Sequence, residues 1–446
     1  MTFNDFNLNK SLLRALDEMG IEVPTTIQEK SFSVIMSGKD VVGIAQTGTG
    51  KTYAFLLPAL RQWTYAKDRF PRTLIIVPTR ELVAQVVDEI QKLSVYTNLV
   101  AVGAYGGTNI KNQIAAVEMG CDVVVATPGR LLDLCLNGAL KLKFIKKFII
   151  DEVDEMLNLG FLPQLKRVIA YLPKKRQNLL FSATMTEEVE AIVDSFFNYP
   201  VRIEAAPVGT PLDNIAQSVF YVPNFNTKIS LLKYILESSK EFSKVLVFCS
   251  TKKMADLLFA EIESIHGEET GVIHSNKSQN YRFNSVKKFT SGEYRILVAT
   301  DIVARGIDVS QVSHVINFDL PEVPENYIHR IGRTGRADKM GNAISFSTKK
   351  EEKYLAAIEL LMKYSIPLQD FPEEVVVSDV LIESELPTYK MKNIIVKRKG
   401  ADSASGPAFH EKKDKNKKVN NKIRLKEKMM KKYGKPKTRG MKKKKK

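Results

Sequence analysis

The sequence is poor in the features that mark secreted and membrane proteins. It has only three cysteines in 446 residues, scattered and without metal-ligand spacing, which excludes a disulfide framework. No apolar run approaches the roughly 20 residues that a membrane span needs. The first residues lack the basic segment and the apolar core of a signal peptide. These absences predict a cytoplasmic globular protein with no membrane partner and with reduced, buried thiols at Cys121, Cys135 and Cys249.

The positive charge is concentrated at one end of the chain. The net charge is +17, but residues 390–446 contain 24 Lys and Arg against four acidic residues, a net charge of +20. The other residues contain 43 basic and 46 acidic side chains, a net charge of −3. This distribution predicts a near-neutral core with a tethered polycation rather than a uniformly basic fold.

Short apolar runs alternate with helical stretches in two successive series. The runs begin at Val41, Thr73, Asp122, Phe148 and Leu179 in the first series and at Lys244, Gly271, Arg295, His314 and Asn342 in the second. Near-continuous apolar strands separated by helices predict parallel sheets covered on both faces, an α/β fold. The predicted divisions are a first domain at 1–205, a linker at 206–214, a second domain at 215–370, and an extension with a disordered basic tail at 371–446.

A glycine-rich loop follows the first predicted strand. Residues 40–52 read DVVGIAQTGTGKT, with Ala45 where the strict phosphate-loop pattern has Gly. Loop N–H groups and Lys51 would bind phosphates, and the Thr52 hydroxyl would ligate Mg²⁺. Because strand, loop and Lys-Thr agree, a nucleoside triphosphate site is favoured over a chance glycine turn. The predicted loop residues are Thr47, Gly48, Thr49, Gly50, Lys51 and Thr52.

Acidic residues follow a buried strand of the same domain. Asp151 and Glu152 end the run that begins at Phe148, at the edge where parallel sheets bind ligands. Asp151 is predicted to hold Mg²⁺, and Glu152 to orient and deprotonate the attacking water. Helix capping is the alternative role for such acids, and the neighbouring phosphate loop makes it the weaker one.

Together these motifs resemble the DEAD-box family of ATP-dependent RNA helicases. Asp-Glu-Val-Asp at 151–154 stands beside the phosphate loop, Ser-Ala-Thr at 182–184, and HRIGRTGR at 329–336, with the motifs in the family's order from Phe3 to about Pro367. The resemblance implies two RecA-like domains, ATP as the cofactor with Mg²⁺, and RNA as a partner. The Lys-rich tail is similar to that of stand-alone bacterial members linked to cold adaptation, ribosome assembly and RNA turnover.

The resemblance implies a nucleotide site shared by both domains. Phe3 would stack on adenine, Gln28 would hydrogen-bond its edge, and Gly306 and Asp308 would approach the nucleotide from the second domain. The residues implied to couple the domains are Asp154, Ser182, Thr184 and His329. Arg333 and Arg336 would reach the γ-phosphate across the cleft, so that hydrolysis would require domain closure.

The resemblance also implies an RNA groove that recognises the backbone rather than the bases. Gln279 and Arg282 match a Q-x-x-R motif of the second domain, and the residues that begin at Thr300 match a motif that would also touch RNA. The implied RNA contacts are Pro78, Thr79, Arg80, Gly107, Thr127, Pro128, Gly129, Arg130, Arg282, Thr300, Asp301 and Arg305.

Three residues depart from the family pattern. Val153 replaces Ala, which we expect to cost about 1–3 kcal/mol in repacking if the extra methyl groups are not accommodated. Ile21 stands where an aromatic residue often flanks the adenine, and Ser275 replaces the Gly that usually follows His274.

Three functions remain open at this point. The sequence favours an ATP-dependent helicase that locally unwinds short RNA duplexes, with an ATP-gated RNA clamp or a DNA translocase as alternatives. The tail has little aromatic content, so its lysines would bind phosphates without sequence preference and would tether the core to structured RNA such as ribosomal RNA. A solubilising tail is the alternative. The sequence does not identify a protein partner.

Overall fold

The first lobe is built around a seven-stranded parallel sheet. The computed structural model describes residues 1–46, 48–205, 214–238, 241–301, 312–335, 340–382, 385 and 427–432. The strands are β1 (Val41–Ile44), β2 (Thr73–Ile76), β3 (Ala101–Ala104), β4 (Val123–Ala126), β5 (Lys147–Asp151), β6 (Gln177–Ser182) and β7 (Val201–Glu204). Their order across the sheet is β3-β4-β2-β5-β6-β1-β7. Because β5, β6 and β1 are neighbours, the loops that follow them meet at one edge of the sheet.

Helices cover both faces of this sheet. They are α1 (Lys10–Glu18), α2 (Thr26–Met36), α3 (Lys51–Arg61), α4 (Arg80–Leu93), α5 (Ile110–Glu118), α6 (Pro128–Leu136), α7 (Val153–Asn158), α8 (Leu162–Tyr171) and α9 (Glu187–Phe196), with 3₁₀ turns at Phe3–Phe6 and Leu142–Phe144. Successive strand residues point to opposite faces, so Val41 belongs to one apolar cluster and Val42 to the other. Both clusters consist of first-lobe residues alone.

The second lobe repeats this architecture with six parallel strands. They are β8 (Ile215–Tyr221), β9 (Val245–Cys249), β10 (Thr270–Ile273), β11 (Ile296–Thr300), β12 (His314–Asn317) and β13 (Gly341–Ser347), in the order β10-β11-β9-β12-β13-β8. The helices are α10 (Phe225–Ser238), α11 (Lys252–His266), α12 (Gln279–Ser291), α13 (Pro324–Ile331) and α14 (Glu352–Met362), with a 3₁₀ turn at Gly267–Glu269. The predicted α/β fold with two tandem sheets is thus confirmed.

All ten predicted strands are present, and three further strands were missed. The missed strands are β3, β7 and β8, and each lies at an edge of its sheet. The predicted linker lies outside the described residues except for Asn214. Of the predicted basic tail, only residues 427–432 are described, and they are helical.

The chain after α14 packs against the second lobe. Gln369 N–H donates to the Val219 carbonyl over 2.9 Å, and Ser378 N–H donates to Thr227 Oγ1 over 3.0 Å. Phe225 N–H at the start of α10 donates to Glu385 Oε1 over 2.6 Å. The first part of the predicted extension is therefore attached to this lobe.

The cysteines are free, as predicted. The predicted burial is confirmed for Cys121 and Cys249 and is wrong for Cys135, which is half-buried. Burial raises the pKa of Cys121 to about 12 and that of Cys135 to about 11. Within the described ranges, no helix is both long enough and apolar enough to cross a membrane.

Candidate nucleotide and RNA site

The phosphate loop has the conformation that its glycines allow. Gly48 and Gly50 have φ angles of +81° and +86°, and Gly50 is the N-cap residue that precedes α3. A Cβ atom on Gly50 would lie 2.9 Å from Thr25 Oγ1. Gln28 Nε2 donates to the Gly50 carbonyl and its Oε1 accepts from Thr25 N–H, both over 3.0 Å. Gln28 therefore links α2 to the loop. Thr47 lies outside the described residues.

Lys51 lies buried at the N-terminus of α3. It is 6% exposed, and its Nζ has no hydrogen-bond partner among the residues that the structure describes. A buried ammonium group without an acceptor is costly, and phosphate oxygens would supply acceptors. Thr49 Oγ1 donates to the Gln46 carbonyl over 2.7 Å, and Thr52 is half-buried in the first turn of α3. The loop thus presents a cation and a helix N-terminus to an anion.

Phe3 is anchored in the core of the first lobe. Its ring is 4% exposed and packs edge-on against Phe6, with 5.5 Å between ring centroids. Phe6 in turn stacks on Phe32 at 4.6 Å. Ile21 is half-buried against the same cluster. The fold thus holds the Phe3 ring in a fixed orientation, and its stacking on adenine stays a prediction.

The predicted catalytic acids form a close pair at the end of β5. Glu152 has a φ of +51°, unusual for a residue with a side chain, and its N–H donates to Asp151 Oδ1 over 3.0 Å. Burial raises the pKa of Asp151 to about 6, against the opposing charge of Lys51. Burial and repulsion by Asp151 raise the pKa of Glu152 to about 8. A carboxyl group with a raised pKa is a stronger base, once ionised, than an ordinary carboxylate.

Val153, which follows Glu152, is fully buried in an apolar cluster of the first lobe. Its side chain therefore faces the core and not the carboxyl pair. The repacking cost expected from this departure remains a prediction.

Asp154 connects the acids to the Ser-Ala-Thr motif. Its Oδ2 accepts hydrogen bonds from Ala183 N–H at 3.2 Å and from Thr184 N–H and Oγ1, both at 3.0 Å. Ser182 ends β6, and its carbonyl accepts from Ala45 N–H over 3.0 Å. Burial would raise the pKa of Asp154, but His329, Lys51 and Thr184 outweigh it and hold the pKa below its usual value.

Helix α13 of the second lobe reaches the edge of the first sheet that carries the phosphate loop and the acid pair, here called the nucleotide edge. His329 Nε2 lies 3.9 Å from Asp154 Oδ2, which brings the four predicted coupling residues together. Arg333 is 5% exposed, and its Nε donates to the His329 carbonyl over 3.3 Å. The positive charge of Arg333 acts to lower the pKa of Glu152, so the arginine lies near the acid pair. The predicted residues Arg305, Gly306, Asp308 and Arg336 lie outside the described residues.

Six of the eight predicted RNA contacts of the first lobe line a cavity of about 430 Å³, whereas Gly107 and Pro128 are not part of its lining. Its first-lobe lining comprises Pro78, Thr79, Arg80, Glu81, Gly106, Thr127, Gly129, Arg130, Asp133, Leu159 and Phe161. Gly107 has a φ of +78°, and a Cβ there would lie 2.8 Å from Arg80 Nη2. Arg130 donates to Gln113 Oε1 over 2.7 Å and to the Thr108 carbonyl over 3.1 Å, and Pro128 begins α6. Arg130 thus fixes the loop after β3.

A second cavity of about 670 Å³ continues this surface onto the second lobe. Its lining comprises Asn158, Leu159, Ser250, Thr251, Lys252, Lys253, Ser275, Thr300, Asp301, Val323 and Asn326. Ser275 and Leu159 line both cavities, so the two form one groove across the lobes. Asp301 forms an ion pair with the buried Arg330, whose Nη2 donates to Asp301 Oδ2 over 2.8 Å.

Sequence reasoning missed Ser250, Thr251 and Lys252 as groove residues. They follow β9 directly, and Thr251 Oγ1 accepts from Met254 N–H over 3.1 Å to begin α11. The position after a buried parallel strand, which pointed to Asp151, could have identified them too.

On the groove side the lobes are joined by a buried ion pair. Arg282 Nη1 lies 2.8 Å from Glu81 Oε1, and the two side chains are 9% and 6% exposed. Gln279 Nε2 donates to Glu81 Oε1 over 3.3 Å, and Arg80 Nη1 donates to Gln279 Oε1 over 3.5 Å. Both edges of the interface are therefore in contact, the nucleotide edge through His329 and the groove edge through Glu81.

The donors present fit a magnesium–nucleotide complex. In the described part of the chain, no group of three or more His, Cys, Asp and Glu could hold a metal ion. Mg²⁺ in nucleotide sites usually needs fewer, because water and phosphates complete its coordination around one or two carboxylates. Asp151 at the end of β5 and the Thr52 hydroxyl after the phosphate loop supply oxygen ligands of this kind.

Two family models cover most of the two lobes. The DEAD/DEAH box helicase model matches residues 25–192, and the helicase conserved C-terminal domain matches residues 227–338. Together they span more than half of the chain, with one model on each lobe.

Curated relatives extend this similarity along the chain. An ATP-dependent RNA helicase RhlB of Shewanella frigidimarina is 36% identical over 85% of this chain and 88% of its own length. A DEAD-box ATP-dependent RNA helicase CshA of Geobacillus kaustophilus is 40% identical over 81% of this chain and 77% of its own.

Solved structures of other proteins show the same similarity. S. cerevisiae Dbp5 bound to RNA and ADP BeF3 has a TM-score of 0.75 and 30% identity, covering 83% of this chain and 95% of its own. Mss116 bound to ssRNA and UDP-BeF has a TM-score of 0.77 and 27% identity, covering 84% and 81%. With the acid pair, the phosphate loop and the groove in place, this chain belongs to the DEAD-box family of ATP-dependent RNA helicases.

Proposed function

We propose that this helicase couples ATP binding and hydrolysis to local unwinding of short RNA duplexes, by bending one strand between two closing lobes. The observation that carries the proposal is the pair of contacts across the lobe interface. Asp154–His329 joins the lobes beside the nucleotide site, and Glu81–Arg282 joins them in the groove. Because one closure completes both sites, each ligand favours binding of the other by the same factor.

The residues at the nucleotide edge would divide the work of hydrolysis. Lys51 would bind the phosphates, and Glu152, with its raised pKa, would take the proton of the attacking water. Arg333 would stabilise charge that develops on the γ-phosphate, an effect worth roughly 10³–10⁵ in rate for such arginines. Asp151 and Thr52 would hold Mg²⁺, which neutralises phosphate charge when bound.

A substitution of Glu152 tests the catalytic assignment. Glu152→Gln should lower RNA-stimulated ATP hydrolysis by about 10²–10⁴ and leave ATP affinity within a small factor of the parent. Glu188→Gln, at an exposed position of α9, is the control and should change neither. Hydrolysis at the parent rate by the Glu152 variant would show that another group activates the water.

Unwinding is tested separately from hydrolysis. Strand separation and RNA dwell time are measured with ATP and with a non-hydrolysable analogue. The proposal expects strand separation of short duplexes and rapid RNA release only with ATP. Long dwell times without strand separation would indicate an ATP-gated clamp.

The RNA partner is proposed to be structured RNA, such as ribosomal RNA during ribosome assembly or RNA turnover in the cytoplasm. The groove presents hydroxyls, backbone N–H groups and arginines, which bind phosphates and sugars rather than base edges. The basic tail would tether the core to such RNA. Truncation before Lys390 should weaken binding of structured RNA and flatten its salt dependence. Unchanged affinity and slope would leave the tail a solubilising role.

A further inference from the structure

Lysines gather at the sheet edge opposite the phosphate loop. The basal lysine cluster consists of Lys141, Lys143, Lys146, Lys147, Lys174 and Lys175. Between Lys141 and Arg176 the chain has nine Lys and Arg and four acidic residues, and the four acids all lie at 151–155 beyond the other end of β5. Strands of four to six residues place the two edges roughly 13–20 Å apart. The cluster is therefore separate from the groove.

The sheet order brings these lysines together. The strands β2, β5 and β6 are adjacent, and the cluster lies where β5 and β6 begin. Lys146 N–H donates to the Arg72 carbonyl over 2.7 Å, and Gln177 N–H donates to the Lys146 carbonyl over 2.9 Å. Since neighbouring strands are about 4.8 Å apart, basic residues that precede them form a closely spaced row.

Two aromatic rings support the row. Phe70 and Phe144 stack with centroids 4.5 Å apart and planes at 14°. Lys143 Nζ and Arg72 Cζ lie 4.8 and 5.4 Å from the centre of the Phe144 ring, and Lys141 Nζ lies 5.7 Å from that of Phe70. Cation–π contacts orient the cations without neutralising them.

The cluster also lacks acidic partners. Within the described residues, none of its six lysines makes an ion pair, and the nearby Asp68 pairs with Arg72 at 2.8 Å. Five of the six are exposed, and Lys147 is half-buried. Burial and the charge of Lys146 lower the pKa of Lys147 to about 8. On a core with a net negative charge, such a concentration of exposed cations without ion pairs would attract a polyanion.

We propose that the basal lysine cluster is a second RNA-binding surface, which contacts phosphates of a folded or duplex RNA that extends beyond the groove. The inference rests on the proposed function in structured RNA. Lysines bind phosphates independently of sequence, whereas the cores of protein interfaces are depleted in Lys. RNA therefore fits this surface better than an acidic protein does.

The test uses the full-length chain and two RNAs. One is a single strand of about ten nucleotides, long enough to fill the groove. The other is the same strand extended by a long hairpin. The variant replaces Lys143, Lys146 and Lys175 with Gln. The control replaces Lys349, Lys350 and Lys353 with Gln, and all three are exposed on the second lobe. It is matched because Lys353 Nζ lies 4.8 Å from the centre of the Tyr354 ring, as Lys143 Nζ does from that of Phe144.

The cluster variant should bind the short strand as the parent does, with unchanged stimulation of ATP hydrolysis. Its affinity for the extended RNA should fall by about tenfold, and the slope of log K against log salt should flatten by about 2–3, since each lost phosphate contact removes about 0.9. A Lys→Arg triple variant should restore both, which excludes a folding defect.

Three results would overturn the inference. In the first, the cluster variant binds the extended RNA with the same affinity and salt slope as the control variant. In the second, its binding of the short strand and of the extended RNA is weakened equally. In the third, it loses binding of poly-glutamate while its RNA binding stays intact. The last would assign the surface to an acidic protein. If the proposed function itself were wrong, RNA would not stimulate ATP hydrolysis by the parent protein.

Discussion

The ion pair between Glu81 and Arg282 should control how readily the lobes close. Glu81→Gln keeps the size of the side chain but removes its charge. Arg282 then loses its carboxylate partner and still lies near Arg80. Burial, together with the charge of Arg80, already lowers the pKa of Arg282. A hydrogen bond to a charged group contributes about 1.5–3 kcal/mol. Since about 1.4 kcal/mol is a factor of ten, the closed state should be about 10- to 100-fold less favoured.

The assay is steady-state ATP hydrolysis against RNA concentration. Because RNA must supply the lost closing energy, the RNA concentration for half-maximal stimulation should rise by about 10- to 100-fold. Asp88→Asn is the matched control. Asp88 lies on the same helix and pairs with Lys92 at 2.7 Å, but the two side chains are 59% and 48% exposed. Such a pair is worth about 0–1 kcal/mol and lies within one lobe.

Direct binding separates closure from loss of an RNA contact. RNA affinity without nucleotide should change little in Glu81→Gln, whereas affinity with a non-hydrolysable ATP analogue should fall. A half-maximal RNA concentration within twofold of the parent would refute the role of the pair. An equal loss of RNA affinity with and without nucleotide would also refute it, because the effect would then not depend on closure.

Three further substitutions test local features. Gly50→Ala should lower the melting temperature and weaken ATP binding, because its positive φ costs about 1–2 kcal/mol and the new methyl group collides with α2; Gly38→Ala, with φ +82° and open space, carries the φ cost alone. Lys147→Met should raise the free energy of unfolding at pH 7, and this gain should shrink between pH 8 and 10, because the lysine loses its buried charge as pH rises through its lowered pKa. Asp154→Asn should cost about 1–3 kcal/mol in a denaturant titration and impair RNA-stimulated hydrolysis, because both carboxylate oxygens accept hydrogen bonds, from Glu155 and Thr184, and an amide keeps only one of them.

Each of these three predictions can be contradicted by a specific result. Equal losses of melting temperature in Gly50→Ala and Gly38→Ala would show that a collision with α2 does not contribute. A gain from Lys147→Met that is the same at pH 7 and pH 10 would show that charge burial is not its cause. Parent-like hydrolysis by Asp154→Asn would show that its bonds to the Ser-Ala-Thr motif do not matter for coupling.

The central strands were predictable because both of their faces are buried. A run such as Val123–Ala126 is fully buried and therefore continuously apolar. The missed β8 alternates buried and exposed residues along Ile215–Tyr221, and β3 is half-buried over most of its length. These two edge strands meet solvent on one side and so lack the continuous signal. The edge strand β10 is fully buried, and its apolar run was predicted.

The nucleotide residues were predictable from local pattern, whereas contacts across the interface were not. A glycine loop or an acid pair after a strand has chemistry that its own segment reveals. Gln279 meets Glu81 across 198 residues of chain, and only folding brings them together. The basal lysine cluster was hidden for a related reason, because its lysines come from separate segments within a near-neutral core.

Neither lobe should hydrolyse ATP alone, because the residues needed for hydrolysis come from both. The fragment 1–205 contains both apolar clusters of the first lobe, so we expect it to fold, which circular dichroism checks. The decisive measurement is its RNA-stimulated ATP hydrolysis beside that of the full chain. We expect nucleotide binding without turnover, because Arg333 and His329 are missing from the fragment. Turnover at the rate of the full chain would contradict it.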